Sequence, residues 1–479
     1  MVAIRAYREG LASGDMALAR RSLAVLEQAG VAPPDAAVLA FADALAAGDR
    51  DRAGRALESL GEGPLDFLQP VLAAWLAVDA GDAATALGLQ DEEGDALDRR
   101  YASENHALIL LATGRTAEGL AAVRAQLGAL DPDPQFRMAA ASLLAGRGKR
   151  DAAQTLLAGE DPVVSLYRAR LGRGAKGNAR FGASRFLVRV ARDLASGETA
   201  PLAITLARSA LILDRGYDRA RIELADALLS EGAGPKARMA LAGVSPDSPF
   251  AREARGAEIA VLAQDGQEDA AIQAATALSA SKGASGEDAR LLGDLLAEQA
   301  RFAEAATAYH TAIEREGEPA DWTLLLKQGA ALEQAGRWSD AVAVLQQAVQ
   351  IAPAEPLALN YLGYAQVERG ENLPAATAML EQAHRLAPED PNIADSLGWA
   401  YYRQGSPARA LPLLEQAARA ENVSGTVQEH VGDVLWRLGR RYEARYAWSA
   451  AQLDADEAMA VRLTDKLARG LSAVEGRGA

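Results

Sequence analysis

The sequence predicts an all-α protein, an α-solenoid of stacked helix-turn-helix units that wind into a superhelix. Three observations carry this expectation. Small and apolar residues return in phase about every 34 positions over residues 286–458; from Gly363 to Gly398 is 35 residues and from Gly398 to Gly432 is 34. Glycine-containing turns and prolines punctuate the chain at helix-length intervals. The composition is that of close-packed helices: 49% hydrophobic residues, largely alanine and leucine, with aromatics only 5% and β-branched runs nearly absent. At 479 residues one compact core would be unusual, so an array or several domains is expected.

The repeat is sharpest over 322–458. Leu325, Gly329, Leu332 and Gly336 are followed by Trp338, Ala341, Leu345, Ala348 and Pro353. The next copy has Leu359, Leu362, Gly363, Gly370, Ala376, Leu380, Ala383 and Pro388; the third has Leu397, Gly398, Tyr401, Gly405, Ala410, Leu414 and Ala417; the fourth has Gly432, Leu435, Gly439, Ala444, Trp448 and Ala451. A glycine on the first helix facing an alanine-lined second helix permits close approach. A large residue at Ala341, Ala376 or Ala410 is expected to overpack that contact.

In chain order, residues 1–160 read as degenerate hairpins. Ser13-Gly14-Asp15, Pro33-Pro34-Asp35, Gly48-Asp49, Gly81-Asp82 and Gly114-Arg115 supply turns and caps, and Pro132 and Pro134 a break. Residues 161–285 form a second segment. Within it, Arg168, Arg170, Arg173, Lys176, Arg180, Arg185, Arg189 and Arg192 occur with no intervening acid. That run suits either an acidic partner or phosphate, or local pairing with acids on neighbouring helices. Its glycines, Gly172 to Gly182, mark it as a joint between two halves. Residues 286–458 are the well-formed repeats, and 459–479 a capping helix and tail. About 14 hairpins are expected, each too small to be stable unless stacked on its neighbours.

Charge and composition exclude several functions. A net charge of −15 argues against general nucleic-acid binding, which needs a basic surface. With no cysteine there is no disulfide, thiolate chemistry or thiolate-held zinc. No apolar run is long enough to span a membrane. The N-terminal residues lack a signal-peptide pattern, so a cytoplasmic protein is expected, or a periplasmic one if a signal has been removed. Only four histidines exist, and Glu429-His430 with Asp433 is the best metal-like spacing, without a second histidine or cysteine nearby. No nucleophile, metalloprotease or phosphate-loop motif appears, which predicts a non-catalytic protein without cofactors.

What remains is surface. Aligning Gly329, Gly363, Gly398 and Gly432 places one set of first-helix residues on the inner face: Asn360, Tyr364, Asp395, Trp399, Tyr402, Arg403, Glu429, Asp433, Trp436 and Arg437. Aromatics beside hydrogen-bonding and charged groups suit a protein or peptide partner. The same aromatics would serve equally to pack between repeats.

These motifs resemble the tetratricopeptide repeat (TPR) family over 286–458, with the earlier hairpins TPR-like. The resemblance implies a scaffold or adaptor that binds partners on its concave face. One subclass clamps terminal carboxylates with lysines and asparagines; here the inner positions read Leu326, Asn360, Asp395, Glu429 and Ala330, Tyr364, Trp399, Asp433, and the acids are expected to repel such a peptide. The stretches 395–403 and 429–436, with Ala444 and Trp448, resemble bacterial envelope TPR proteins that include a lipoprotein adaptor of a carboxyl-terminal processing protease. That implies recruitment of a protease or its substrates, or a structural platform in an envelope assembly.

Overall fold

A computed structural model describes residues 2–88, 96–128, 134–317, 320–421 and 423–471. The expected break at Pro132 and the tail after Leu471 lie outside these residues. The described chain is all-α, a succession of stacked hairpins with 28 α-helices and no strand among them. No described helix is long and apolar enough to cross a membrane. The chain divides into two units, 1–274 and 275–479.

The first unit opens with the hairpins α1–α2 (Val2–Ser13, Met16–Gln28), α3–α4 (Ala36–Ala47, Arg50–Gly61) and α5–α6 (Gln69–Ala80, Ala83–Leu87). Then come α7–α8 (Ala96–Thr113, Thr116–Leu127) and α9–α10 (Pro134–Gly146, Arg150–Leu156). The short α11 (Pro162–Ala169) leads to α12 and α13 (Ala179–Asp193, Ala200–Leu213), followed by α14–α15 (Asp218–Ser230, Gly234–Leu241) and α16 (Ala251–Gln264). The division between units falls within α17 (Glu268–Ser279).

This unit departs from a simple solenoid, in which each hairpin touches only its neighbours. Helices α12 and α13 lie against the first helices of the N-terminal hairpins: α13 packs on α1 and α3, and α12 on α3, α5 and α7. Polar contacts fasten them there. Thr205 donates to Asp35 at 2.6 Å, the Arg208 guanidinium donates to the carbonyls of Leu11 and Ala12, and Tyr101 donates to Asp193 at 2.6 Å.

Docking of α12 redirects the basic run of 165–192. Arg180 donates to the carbonyls of Leu45 and Ala46 at the end of α3. Arg185 pairs with Asp214 at 2.5 Å and lies over the rings of Phe181 and Tyr217. Arg189 pairs with Asp193 and Glu104, and Arg192 with Glu223 at 2.8 Å. Arg180, Arg185, Arg189 and Arg192 therefore serve internal pairing, and the residues read as a joint fall within the first unit. An arginine on a docking helix is desolvated, so the helix carries its bases to acids and carbonyls already present.

The second unit is a regular stack. Its hairpins are α18–α19 (Gly286–Glu298, Phe302–Glu316), α20–α21 (Trp322–Gln334, Trp338–Ile351), α22–α23 (Pro356–Arg369, Leu373–Leu386), α24–α25 (Pro391–Arg403, Pro407–Ala417) and α26–α27 (Gly425–Arg437, Arg441–Ala451). The single helix α28 (Glu457–Arg469) follows. Gly370 and Gly405 end their first helices at positive φ, where a side chain would be strained, and so set the turn. Gly398 and Gly432 serve contact instead: a Cβ there would lie 2.8 Å from Leu414 and 2.3 Å from Trp448. Ala341, Ala376, Ala410 and Ala444 are fully buried on the facing helices.

Candidate functional site

Successive first helices of the second unit are stitched by one recurring pairing, an acid on one helix with a base on the next. Asp294 pairs with Lys327 at 2.7 Å, Glu333 with Arg369 at 2.7 Å and Glu368 with Arg403 at 3.9 Å. Asp395 then pairs with His430 at 3.0 Å, and Glu429 with Lys466 at 2.7 Å. Exposed pairs of this kind contribute little each. The last two are buried and matter more.

The expected site residues fall into two groups. Asp395, Trp399 and Tyr402 on α24 meet His430 of α26 and Glu368 of α22. Trp399 stacks on His430 with centroids 3.9 Å apart and on Tyr402 at 4.9 Å, and its indole N–H donates to Glu368. Arg403 is exposed and also reaches the Glu368 carbonyl at 3.3 Å. Tyr364 is half-buried beside them; burial first, then the negative charges of Glu368 and Asp395, push its hydroxyl pKa up, so it stays a neutral donor. Asn360 is half-buried, and its Oδ1 is covered without a hydrogen-bond partner among the described residues.

The second group lies at the end of the stack. Glu429 and Asp433, read from sequence as facing a groove, are buried under α28. The ammonium of Lys466 lies 2.7 Å from Glu429 and 2.7 Å from both Asp433 oxygens, Arg462 donates to Glu429 at 3.0 Å, and the Trp448 indole donates to Asp433 at 2.9 Å. Burial raises the Glu429 pKa, but Arg462 and Lys466 outweigh it and hold the group below its ordinary value. Trp436 is half-buried at this end too, 5.3 Å from the Trp448 ring, with Arg441 and Arg445 over it. Arg437 is exposed.

Two sequence expectations change accordingly. The acids at 395, 429 and 433 do not stand free toward a peptide, because His430, Lys466 and Arg462 pair with them, so repulsion of a carboxylate does not follow from them. The His430–Asp433 spacing does not gather ligands around one point either: His430 faces Asp395, and Asp433 faces Lys466. No group of three or more potential metal ligands occurs among the described residues. Glu368, Arg462 and Lys466 lie outside the residues the sequence singles out, and His430 enters there only as part of a metal-like spacing, although a signal for the pairing exists. His430 follows Asp395 by one period, Arg403 follows Glu368 likewise, and Lys466 follows Asp433 by nearly one.

His430 makes stability pH-dependent. Burial disfavours the charged ring, but Asp395, with Asp433 and Glu368 beyond it, outweighs burial and raises the pKa. The charged pair thus contributes stability that is complete below the unfolded value of about 6.5 and is lost as pH rises through the raised folded value. His430→Gln is expected to remove this dependence. The gap in melting temperature between wild type and variant should narrow as pH rises above about 6.5; a constant gap would mean that folding leaves the affinity of the ring for its proton unchanged.

The tetratricopeptide repeat family model matches residues 290–356 and 396–460. These segments are tetratricopeptide repeats. They account for the hairpin period and for the small residues between paired helices, and TPR stacks are protein-interaction scaffolds. Among solved structures, a TPR protein from Parabacteroides merdae is similar at 15% identity, covering 53% of this chain and 98% of that one, with a TM-score of 0.42. A thermophilic TPR protein of Thermus thermophilus is 21% identical over 38% of this chain and 99% of that one, with a TM-score of 0.34. The APC/C hetero-tetramer Cut9–Hcn1 is 17% identical over 93% of this chain and 98% of that one, with a TM-score of 0.41. No curated protein matches the sequence.

Proposed function

We propose that this TPR protein is a non-catalytic adaptor, and that the first-helix face around Asn360, Tyr364, Trp399, Tyr402 and Arg403 binds an extended segment of a partner protein. One observation supports this above the others. Once Asp395, Glu429 and Asp433 are paired internally, the side chains left at this face are amide, phenol and indole groups, with Arg403 and Glu368 paired with each other at the rim. Such groups offer flat apolar area and hydrogen-bonding tips without a net acidic field. The unpartnered Oδ1 of Asn360 fits the same reading, since a buried acceptor without a donor costs about 1–3 kcal/mol that an incoming N–H relieves. The resemblance of 395–403 and 429–436 to envelope TPR adaptors suggests a carboxyl-terminal processing protease, or its substrates, as the partner class.

Asn360→Ala with Arg403→Glu removes the acceptor and reverses the rim charge, while Trp399 keeps its contact with His430. In cross-linking capture with the full chain, the partner recovered by wild type is expected to be lost with this variant at unchanged melting temperature. Equal recovery would remove this face from consideration.

A structural-platform reading draws on a different observation. Helices α12 and α13 cover the first helices α1, α3, α5 and α7, so a partner of the first unit has only its other surfaces to use. A partner that tolerates the face variant but is lost on charge reversal at exposed positions of residues 1–274 would favour the platform.

A further inference from the structure

The first unit holds a second concentration of positive charge that internal pairing does not absorb. Arg208 on α13, Arg215 in the following turn and Arg221 on α14 line one cleft of about 320 Å³. Its remaining walls are Leu211, Leu224, Met239, Ala240 and Gly243, and no Asp or Glu is among these lining residues. The contrast with the run at 180–192 is sharp, because there most arginines meet a carboxylate.

Two of the three guanidinium groups are held in place by neutral partners alone. Arg208 donates from Nε and Nη2 to the carbonyls of Leu11 and Ala12 at 2.7 and 2.9 Å. Arg221 donates from Nε to the Gly243 carbonyl at 2.8 Å and from Nη2 to the Arg215 carbonyl at 2.9 Å. Two glycines leave room for this: a Cβ at Gly14 would stand 3.1 Å from Nη1 of Arg208, and one at Gly243 would stand 2.7 Å from Nε of Arg221. The Nη1 groups of Arg208 and Arg221, and the whole Arg215 guanidinium, make no hydrogen bond among the described residues. Carbonyl oxygens orient a guanidinium but do not balance its charge. The consequence shows in Arg208, whose pKa burial and then the like charge of Arg221 push down to about 10.

Three like charges in one cleft of a protein with net charge −15 are costly unless an anion joins them. Guanidinium forks match the oxygens of carboxylates and phosphates equally well in geometry. Charge separates the two, because a phosphate monoester carries about −1.5 to −2 at pH 7 and a single carboxylate no more than −1. The volume is that of a small-ligand cleft, and Leu211, Leu224 and Met239 provide an apolar wall beside the charges. We propose that Arg208, Arg215 and Arg221 form a binding site for the phosphate group of a small molecule, with the apolar wall taking the rest of it.

Isothermal titration of the full chain with inorganic phosphate and with pyrophosphate, at fixed ionic strength, tests this. One saturable site per chain is expected, with pyrophosphate the tighter ligand. Arg215→Glu is the decisive variant because Arg215 makes no side-chain bond that the fold needs. It is expected to weaken pyrophosphate binding at least about tenfold with a melting temperature, in the absence of ligand, no lower than that of wild type. Absence of saturable binding, or equal binding by Arg215→Glu, would overturn the site. Competition by a glutamate peptide as effective as pyrophosphate would reduce it to general charge attraction and overturn it too. Binding to vesicles containing phosphatidic acid without any binding of the soluble probes would overturn the small-molecule assignment in favour of a membrane headgroup.

Discussion

Replacing Lys466 by methionine is expected to destabilise the second unit by about 3 kcal/mol, the lower end of the range for breaking a buried ion pair. The lysine ammonium serves two carboxylates at once, and its side chain and those of Glu429 and Asp433 are each less than a tenth exposed. Without it, Glu429 keeps Arg462, but Asp433 is left with only the Trp448 indole as a described donor. Five of the six tryptophans, Trp322, Trp338, Trp399, Trp436 and Trp448, lie in this unit, so indole fluorescence during urea unfolding reports on it. The midpoint should fall, and the deficit should shrink at acidic pH, where Asp433 takes up a proton. Adding Asp433→Asn to the variant should recover part of the loss at neutral pH. A midpoint equal to wild type would show that α28 contributes no stability through this lysine.

Gly182→Ala is the second large effect, expected to cost the first unit about 3 kcal/mol, at the upper end of ordinary overpacking. A Cβ at this position would lie 1.8 Å from the Trp75 ring. Trp75 is fully buried, its indole N–H donates to Asn105 at 2.8 Å, and Phe181 packs edge-on against it with centroids 6.4 Å apart. Asn105 is held in turn through its donation to the Tyr101 carbonyl. The ring therefore yields only by breaking that chain, and otherwise α12 must lift from α5. Hydrogen exchange should quicken in both α5 and α12, while the amides of 356–403 stay protected. Unchanged exchange in α12 would mean that its seat on α5 is looser than the packing indicates.

The two variants mark where sequence reasoning reached and where it stopped. In the second unit the hairpins follow from a local pattern: Gly398 faces Leu414 and Gly432 faces Trp448 within one hairpin, so a period near 34 carries the information. The acid–base pairs between first helices were readable by the same means, since Asp395 and His430 stand one period apart. They were passed over because charged residues on helices usually face solvent. The fates of Glu429 and Asp433 depended on α28, a single helix that supplies bases where the next first helix would supply them.

The first unit was legible only as hairpins. Trp75 and Gly182 are 107 positions apart, and Asp35 and Thr205 are 170 apart; no periodicity links residues so distant. The arginines of 165–192 and those at 208, 215 and 221 look alike in sequence. The first set mostly meets acids or carbonyls on docking, while the second gathers around a cleft with no acid in its lining.

By itself, then, the sequence determined the helices, their pairing into hairpins and the repeat character of residues 286–458, because those follow from contacts within about one period. Only the tertiary structure decided which charges are buried, which arginines stay uncompensated and that α12 and α13 cover the first helices of the N-terminal hairpins. Those outcomes turn on desolvation between segments far apart in the chain, and the charge of a side chain in sequence does not say what it will meet.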